Sequence, residues 1–552
     1  MKLKNNTLFT LLLIALVAET TSSQVTYVAQ DNGTSLSTMK SAAAHFYYKN
    51  KKGIAIIATL AIGSIAAIYF KNDIGRILSS ADNGPCAPLV TAKDKPTVET
   101  FDGLCAKSRT FNTTIGAIPT INNRIKNIAH DNIEKQLRIA DHANSARPII
   151  HAKTMQLMKD FLEYKGQYGS DIEKEFYSQM TVPEFITRLL MNRPLSFVGS
   201  GDAYLLTNID RSQPQLSNGA FEKIGTSQES GRLTLENYLS YDEQQIASLI
   251  SVSVPTYFIN HGARNNKAAI GRNGTYQEEG ISIGVVGPRF QKPGRMEDEH
   301  IFIRNNSGLP IPNDSPWVHF YNNDLVTDKI MLDTIMTNNP NRFIKCTTMC
   351  ETALFDTRIY QARIRMVVEP FLLEANARGA QCNKEIYIHA VGLGLGAWMP
   401  RNKYSGRPYP NLTDKVLSEL MTNVYYNVLE NHELPHIKDI DFSWFPAENI
   451  KYPKREFGKN TVKIHYSKRN PAAKLTGKDK DKLVVAMYAW DGNAYSGNEY
   501  WDAGRDPDRL FESSDSAAAC CSTIPELQNP QINSKINGHN VATYPPDEKD
   551  EE

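Results

Sequence analysis

Asp491 closes an apolar segment, KLVVAMYAWD, and opens the stretch DGNAYSGNEYWDAGRD. There Asn493, Gly497, Asn498, Glu499, Tyr500, Trp501, Asp502 and Asp506 fall within sixteen positions. A carboxylate at the end of a buried strand orients a hydroxyl or amine of a ligand, or takes a proton from water as a general base. Asp491 and Glu499 form the candidate pair, and the residues alone do not say which does which. Asn493 and Asn498 offer amides to hydroxyls, and Trp501 offers a flat face to a base or sugar. The competing reading is a surface Asx turn with solvating charges. Gly and Asn explain the turn, but not the density of carboxylates and aromatics beside a buried strand.

A second constellation is IYIHAVGLGLGAW, residues 386–398, where an apolar run feeds into Gly392, Gly394 and Gly396. Alternating glycines let successive backbone N–H groups approach an anion with no Cβ in the way. A tight structural turn needs the same residues. The Lys-Ser/Thr of a P-loop is missing, and AWMPRNKYSGRPYP does not open a helix as a dinucleotide fingerprint would. A third candidate is VVGPRFQKPGRMEDEHIFI, whose Arg289 and Asp298 suit a diphosphate and an adenine amine, unless its charges are exposed ion pairs. Glu374 and Asn376, in FLLEAN, read as helix surface or a cap. No Cys/His cluster has zinc spacing, and the seven cysteines read as small buried hydrophobes or incidental thiols.

These loops need a sheet to hold them. The apolar strands IYIHAV and KLVVAMYAW, with others near 280–290, 437–445 and 461–467, alternate with helices such as 357–380 and DKVLSELMTNVYYNVLENH. That order predicts an α/β fold, a mainly parallel sheet covered by helices on both faces. LSFVGSGDAYLL, 195–206, reads as one strand. Residues 120–194 read as a helical region from apolar residues recurring at three and four. Residues 1–23 resemble a signal peptide, with Lys2 and Lys4 before a short apolar run. Residues 53–70 are uncharged and close to the roughly 20 residues that span a bilayer, so they read as a transmembrane helix, with a buried helix as the alternative. A linker is expected over 71–119, a catalytic domain over 195–533, and a disordered acidic tail over 534–552. With Lys+Arg 61 against Asp+Glu 60, the chain has no electrostatic footprint for nucleic acid.

The ordered blocks GVVGPRFQKPGRME, VEPFLLEANARGA leading into IYIHAVGLGLGAW, and MYAWDGNAYSGNEYW followed by SAAACCSTIPELQNP resemble the macrodomain-like ADP-ribosylhydrolase family typified by the Legionella effector MavL. The resemblance covers roughly residues 195–533. It implies a macrodomain-like three-layer α/β/α sandwich that binds ADP-ribose and hydrolyses it from a modified protein, ubiquitin in the typifying case, with no cofactor. It makes Gly392, Gly394 and Gly396 the diphosphate loop and sets Asp491 and Glu499 near the distal ribose. The Gly-Gly-Gly…Gln-Glu-Glu signature of poly(ADP-ribose) glycohydrolases is absent, which leaves the catalytic carboxylate open. Two rival functions remain: an ADP-ribose reader without hydrolysis, and a membrane-anchored interaction protein. The N-terminal segments imply a membrane-associated or secreted protein, and the resemblance implies the alternative of an effector delivered into a host cell.

Overall fold

The computed structural model describes residues 98–546 apart from 117, 119, 208–214, 217–218, 267, 305–314, 322–331, 348–351, 403–405, 447–454 and 503–513. The signal-like segment at 1–23 and the apolar segment at 53–70 lie outside the described residues. Among those described, no helix is long and apolar enough to cross a membrane.

A nine-stranded sheet organises the chain. In sequence order its strands are β1 (Arg147–His151), β2 (Ile250–Tyr257), β3 (Glu279–Val285), β4 (Ile386–Ala390), β5 (Ile437–Phe442), β6 (Arg455–Phe457), β7 (Asn460–His465), β8 (Leu483–Ala489) and β9 (Ala542–Tyr544). Their spatial order is β6-β7-β5-β4-β8-β3-β2-β1-β9. The five central strands, β7 through β3, are mutually parallel. β2 runs against both β3 and β1, and β9 joins β1 in parallel. β4 is wholly buried and β8 nearly so, which is why their sequences are apolar without alternation.

Helices α1 (Ile133–Ser145), α2 (Thr357–Cys382), α3 (Asp414–Asn431) and α4 (Ser514–Cys521) cover the sheet. Ser253 of β2 accepts a hydrogen bond from Arg378 of α2, whereas Thr256 bonds Thr523 just after α4. Residues three apart on a strand point to opposite faces, so helices cover both. Asp356 caps α2 by accepting from the amides of Arg358 and Ile359, and Asn383 at φ +49° ends it in the left-handed conformation. Two smaller three-stranded sheets are appended, one of them built from 302–304, 343–347 and 352–356.

Three expectations change. Arg147–His151, inside the stretch read as helical, is a strand, because RPIIH is an apolar run clamped between β2 and β9. Residues 195–206 form a hairpin, Ser196–Val198 against Ala203–Leu205, which turns through Gly199 and Asp202 at positive φ. The stretch 534–546, expected to be disordered tail, is folded. Asn540 donates to Ala146 O, and Ala542–Tyr544 completes the sheet edge.

Glu374 is not on a helix surface either. It is fully buried and accepts from Arg378 Nε at 2.7 Å, Arg147 Nη2 at 2.8 Å and the Tyr544 hydroxyl at 2.7 Å. Burial alone would raise its carboxyl, but the two guanidinium charges outweigh that and hold it down at about 2. Asn376 on the same helix accepts from the His436 amide. Because the folded value lies below the unfolded one, the Glu374 cluster contributes stability above the ordinary carboxylate range and loses it as pH falls toward 2. Glu374→Gln leaves the buried Arg378 and the partly exposed Arg147 short of an anion. It is expected to cost roughly 3–5 kcal/mol at pH 7 and less at pH 3, as read by urea unfolding at both values.

Candidate active site

The parallel strands β4, β8 and β3 lie side by side, so the loops leaving their carboxyl ends form one continuous rim, the position where open α/β sheets take ligands. Glycine lets these loops touch. At Gly394, φ is +69° and an added Cβ would stand 2.5 Å from Pro288 O; at Gly287 it would stand 2.5 Å from the Gly394 amide nitrogen. At Gly492 it would meet Val286 at 2.7 Å. Backbone hydrogen bonds join the same loops, from Phe290 N to Trp398 O at 3.0 Å and from Trp490 N to Val285 O at 3.0 Å. The three glycines of the 392–396 run therefore do different work. Gly394 seats one loop on another, a Cβ at Gly392 would clash at 2.7 Å with the Leu395 side chain of its own loop, and Gly396 is exposed with nothing within 4 Å of its missing Cβ.

The carboxylate loop is held from below. Tyr488, in β8, donates to both Glu499 oxygens at 3.1 Å and accepts from the Gly497 amide at 3.0 Å. Glu499 is 7% exposed. Asp491 is half-buried and accepts from Asn498 Nδ2 at 2.9 Å. Trp490 tucks its indole under the turn, Nε1 donating to Ala494 O at 3.0 Å. Asn493 is 1% exposed, and neither atom of its amide meets a hydrogen-bond partner among the described residues; the same holds for Ser496 Oγ and Asn498 Oδ1. Buried polar atoms are normally satisfied, so three residues with orphaned atoms within six positions make this loop a candidate for meeting polar groups of a ligand.

The other candidates are engaged with protein. Trp501 is buried, its ring 6.0 Å from that of Phe111, and Tyr500 bonds Asn123 and Ala519 O. Arg289 donates to Asp202 Oδ1 at 3.0 Å and to Gly199 O, and Lys292 and Tyr241 converge on the other Asp202 oxygen. Asp298 receives both Arg304 terminal nitrogens at 2.8 Å and the Gly294 amide. The structure thus brings Gly394, the Arg289 backbone and the Asp491 loop together, and turns Trp501, the Arg289 guanidinium and Asp298 into supports. Glu297 ties the rim to α2, accepting from the Arg289 amide at 2.8 Å and from Arg363 Nε at 2.6 Å.

Sequence reasoning missed Asp202, Tyr488, Ser496 and Arg193. Tyr488 was the most findable, a phenol in an otherwise apolar strand two residues before Trp490. Arg193 is buried with its guanidinium 4.3 Å above the Trp490 ring, and its terminal nitrogens meet no hydrogen-bond partner among the described residues. Burial pushes it down to about 9. A cleft of about 780 Å³ lies elsewhere, between α2 and α3, lined by Arg342, Arg358, Arg365 and Asn427. Arg342 and Arg365 of that cleft lean onto Asp356 and Glu369, and none of the rim residues line it. Among the described residues no His, Cys, Asp and Glu grouping has the makings of a metal site.

Comparison with known proteins gives a consistent result. A profile described as ADP-ribosylhydrolase MavL-like matches residues 103–546. Two Drosophila melanogaster proteins are similar along most of their length. ADP-ribosylarginine hydrolase CG3568 is 34% identical over 424 residues, covering 73% of this chain and 79% of the relative. ADP-ribosylarginine hydrolase CG2909 is 32% identical over 439 residues, covering 74% and 81%.

The glycine geometry separates two roles by substitution. Gly394→Ala meets a forbidden φ and a carbonyl oxygen, and is expected to cost about 1–3 kcal/mol. Gly396→Ala enters open space and should stay within about 0.5 kcal/mol of the parent. Thermal unfolding of the two variants side by side checks this.

Proposed function

The chain belongs to the MavL-like ADP-ribosylhydrolase family, and from that premise we propose that it hydrolyses the bond between ADP-ribose and an arginine side chain of a modified protein. The arginine linkage is taken from the names of the Drosophila relatives. The observation that carries the reading is the half-buried Asp491 beside the orphaned polar atoms of Asn493, Ser496 and Asn498, on a rim closed by glycine contacts with the loop at 392–396. On this reading the described domain is a macrodomain-like α/β/α sandwich. The diphosphate lies along the exposed backbone near Gly396, and the distal ribose meets the 491–498 loop.

In the proposed step, water attacks ribose C1″ as the C1″–N bond to the guanidinium breaks. Asp491 takes the proton from the attacking water, its charge stabilising oxocarbenium character at C1″. The bonding electrons leave with the guanidine, which departs neutral and recovers a proton from Asp491 or solvent. The accessible carboxylate is given this role because the rim presents it, whereas Glu499 lies beneath the loop on Tyr488 and acts by positioning. Asn493 and Asn498 take ribose hydroxyls. Arg289, Asp298 and Trp501 hold the rim in shape. An arginine-ADP-ribosylated protein is the substrate class, with ubiquitin one carrier to assay.

Asp491→Asn is expected to lower hydrolysis of ADP-ribosylarginine by roughly 10²–10⁴ while calorimetric affinity for ADP-ribose stays near the parent's. Tyr488→Phe, which releases Glu499 without removing it, should lose less. Retained turnover in Asp491→Asn would move the chemistry to Glu499, and ADP-ribose affinity in an inactive parent would leave the reader function.

A further inference from the structure

Trp444 stands just past the end of β5, the strand next to β4 on the side away from Asp491. Its backbone is left-handed, φ +64°, and its side chain is 48% exposed. Both features are unfavourable for a tryptophan, since a bulky residue rarely adopts that φ and an indole is a large apolar surface to leave in water. The conformation is held from several sides. The Trp444 amide donates to Ser467 O at 2.8 Å, indole Nε1 donates to Arg469 O at 2.9 Å, and the preceding Ser443 amide donates to Ala390 O, two residues before Gly392. Strain of this kind, over-determined by its neighbours, is found where a side chain is kept for use.

Basic side chains predominate on the exposed ground around the indole: of the carboxylates beside it, Asp441 is buried against Ser467 and Glu278 is exposed. Residues 261–275 contain Arg264 and Arg272 and no carboxylate; residues 463–474 contain Lys463, Lys468, Arg469 and Lys474 and no carboxylate. The two segments are laced side by side through Ala472 N to His261 O, Gln277 N to Ala472 O and the bridge between Tyr276 and Ala473. Trp444 joins them, with the Arg264 guanidinium 5.8 Å from its ring and its own hydrogen bonds on residues 467 and 469. The chain as a whole is near neutral, so this is a local concentration of cations around an exposed aromatic anchor.

We propose that Trp444 and the basic segments beside it form the docking surface for the protein part of the substrate, through an acidic face of the ADP-ribosylated carrier. The inference rests on the hydrolase reading above, because the macromolecule that reaction brings to this rim is the modified protein itself. Tryptophan is the residue type that most often dominates such contacts, and the surrounding cations supply complementarity and speed of encounter to an acidic partner.

The test uses the full chain, an arginine-ADP-ribosylated acidic protein, ADP-ribosylarginine and free ADP-ribose. Trp444→Ala and the surface variant Arg264→Glu are compared with the parent, each checked for an unchanged circular dichroism spectrum. Both variants should raise KM and weaken calorimetric binding for the modified protein by roughly tenfold, increasingly so at low salt, with values for the two small ligands unchanged. Binding is read independently of turnover, so a parent that binds the modified protein without cleaving it refutes the hydrolase reading and still tests the surface. If Trp444→Ala loses free ADP-ribose in equal measure, the indole is a nucleobase platform and the docking proposal falls. It falls equally if neither variant alters binding of the modified protein, or if nucleic acid competes for the surface more strongly than the acidic carrier.

Discussion

Everything proposed for the rim depends on backbone touching backbone. The loops that follow β3 and β4 meet main chain to main chain at Gly287 and Gly394, where a single methyl group would force them apart, and Gly492 of the loop after β8 lies against the Val286 side chain. Main-chain contact of this kind fixes separation more firmly than side-chain packing, because neither partner has a rotamer to change. The loops are otherwise irregular, and it is this contact, with the Phe290–Trp398 and Trp490–Val285 hydrogen bonds, that lets them share one geometry.

A second tier of interactions carries charge under that rim. Glu297 binds the Arg289 amide and Arg363, Asp202 gathers Arg289, Lys292 and Tyr241, and Glu374 is pinned by Arg147 and Arg378. Each buried anion is matched by more than one donor, the condition under which burial of charge is tolerable. The 491–498 loop stands apart from this pattern. Among the described residues, both atoms of the Asn493 side-chain amide, Ser496 Oγ and Asn498 Oδ1 go without partners there, whereas the carboxylates below each hold several donors.

Much of this was legible from sequence where a local rule applied. Apolar, non-alternating strands announced β4 and β8 and the parallel sheet, and the carboxylate run after β8 marked the loop on which the site is now proposed. What escaped depended on partners far away in the chain. RPIIH is too short to distinguish from a helix segment by period, and only its pairing with β2 and β9 makes it a strand. At Asp298, whose partner Arg304 is only six positions on, the fold-back that brings the two together is what escaped. Arg289 looked like a ligand group because nothing near it in sequence reveals Asp202's position in a hairpin turn. Glu374 looked exposed for the same reason. Its arginine on β1 lies 227 positions away.

The pairing of β1 with β9 has a bearing on how the molecule is made. Asn540 and Ala146 are 394 positions apart and hydrogen-bonded, and the strand after Asn540 forms one border of the sheet. During synthesis β1 emerges early and waits through nearly the whole of the domain for the neighbour that covers it. An exposed strand edge is a template for pairing with other chains. The nascent protein therefore carries an open seam until residues 542–544 have been made, a vulnerability set by strand order rather than by any single residue.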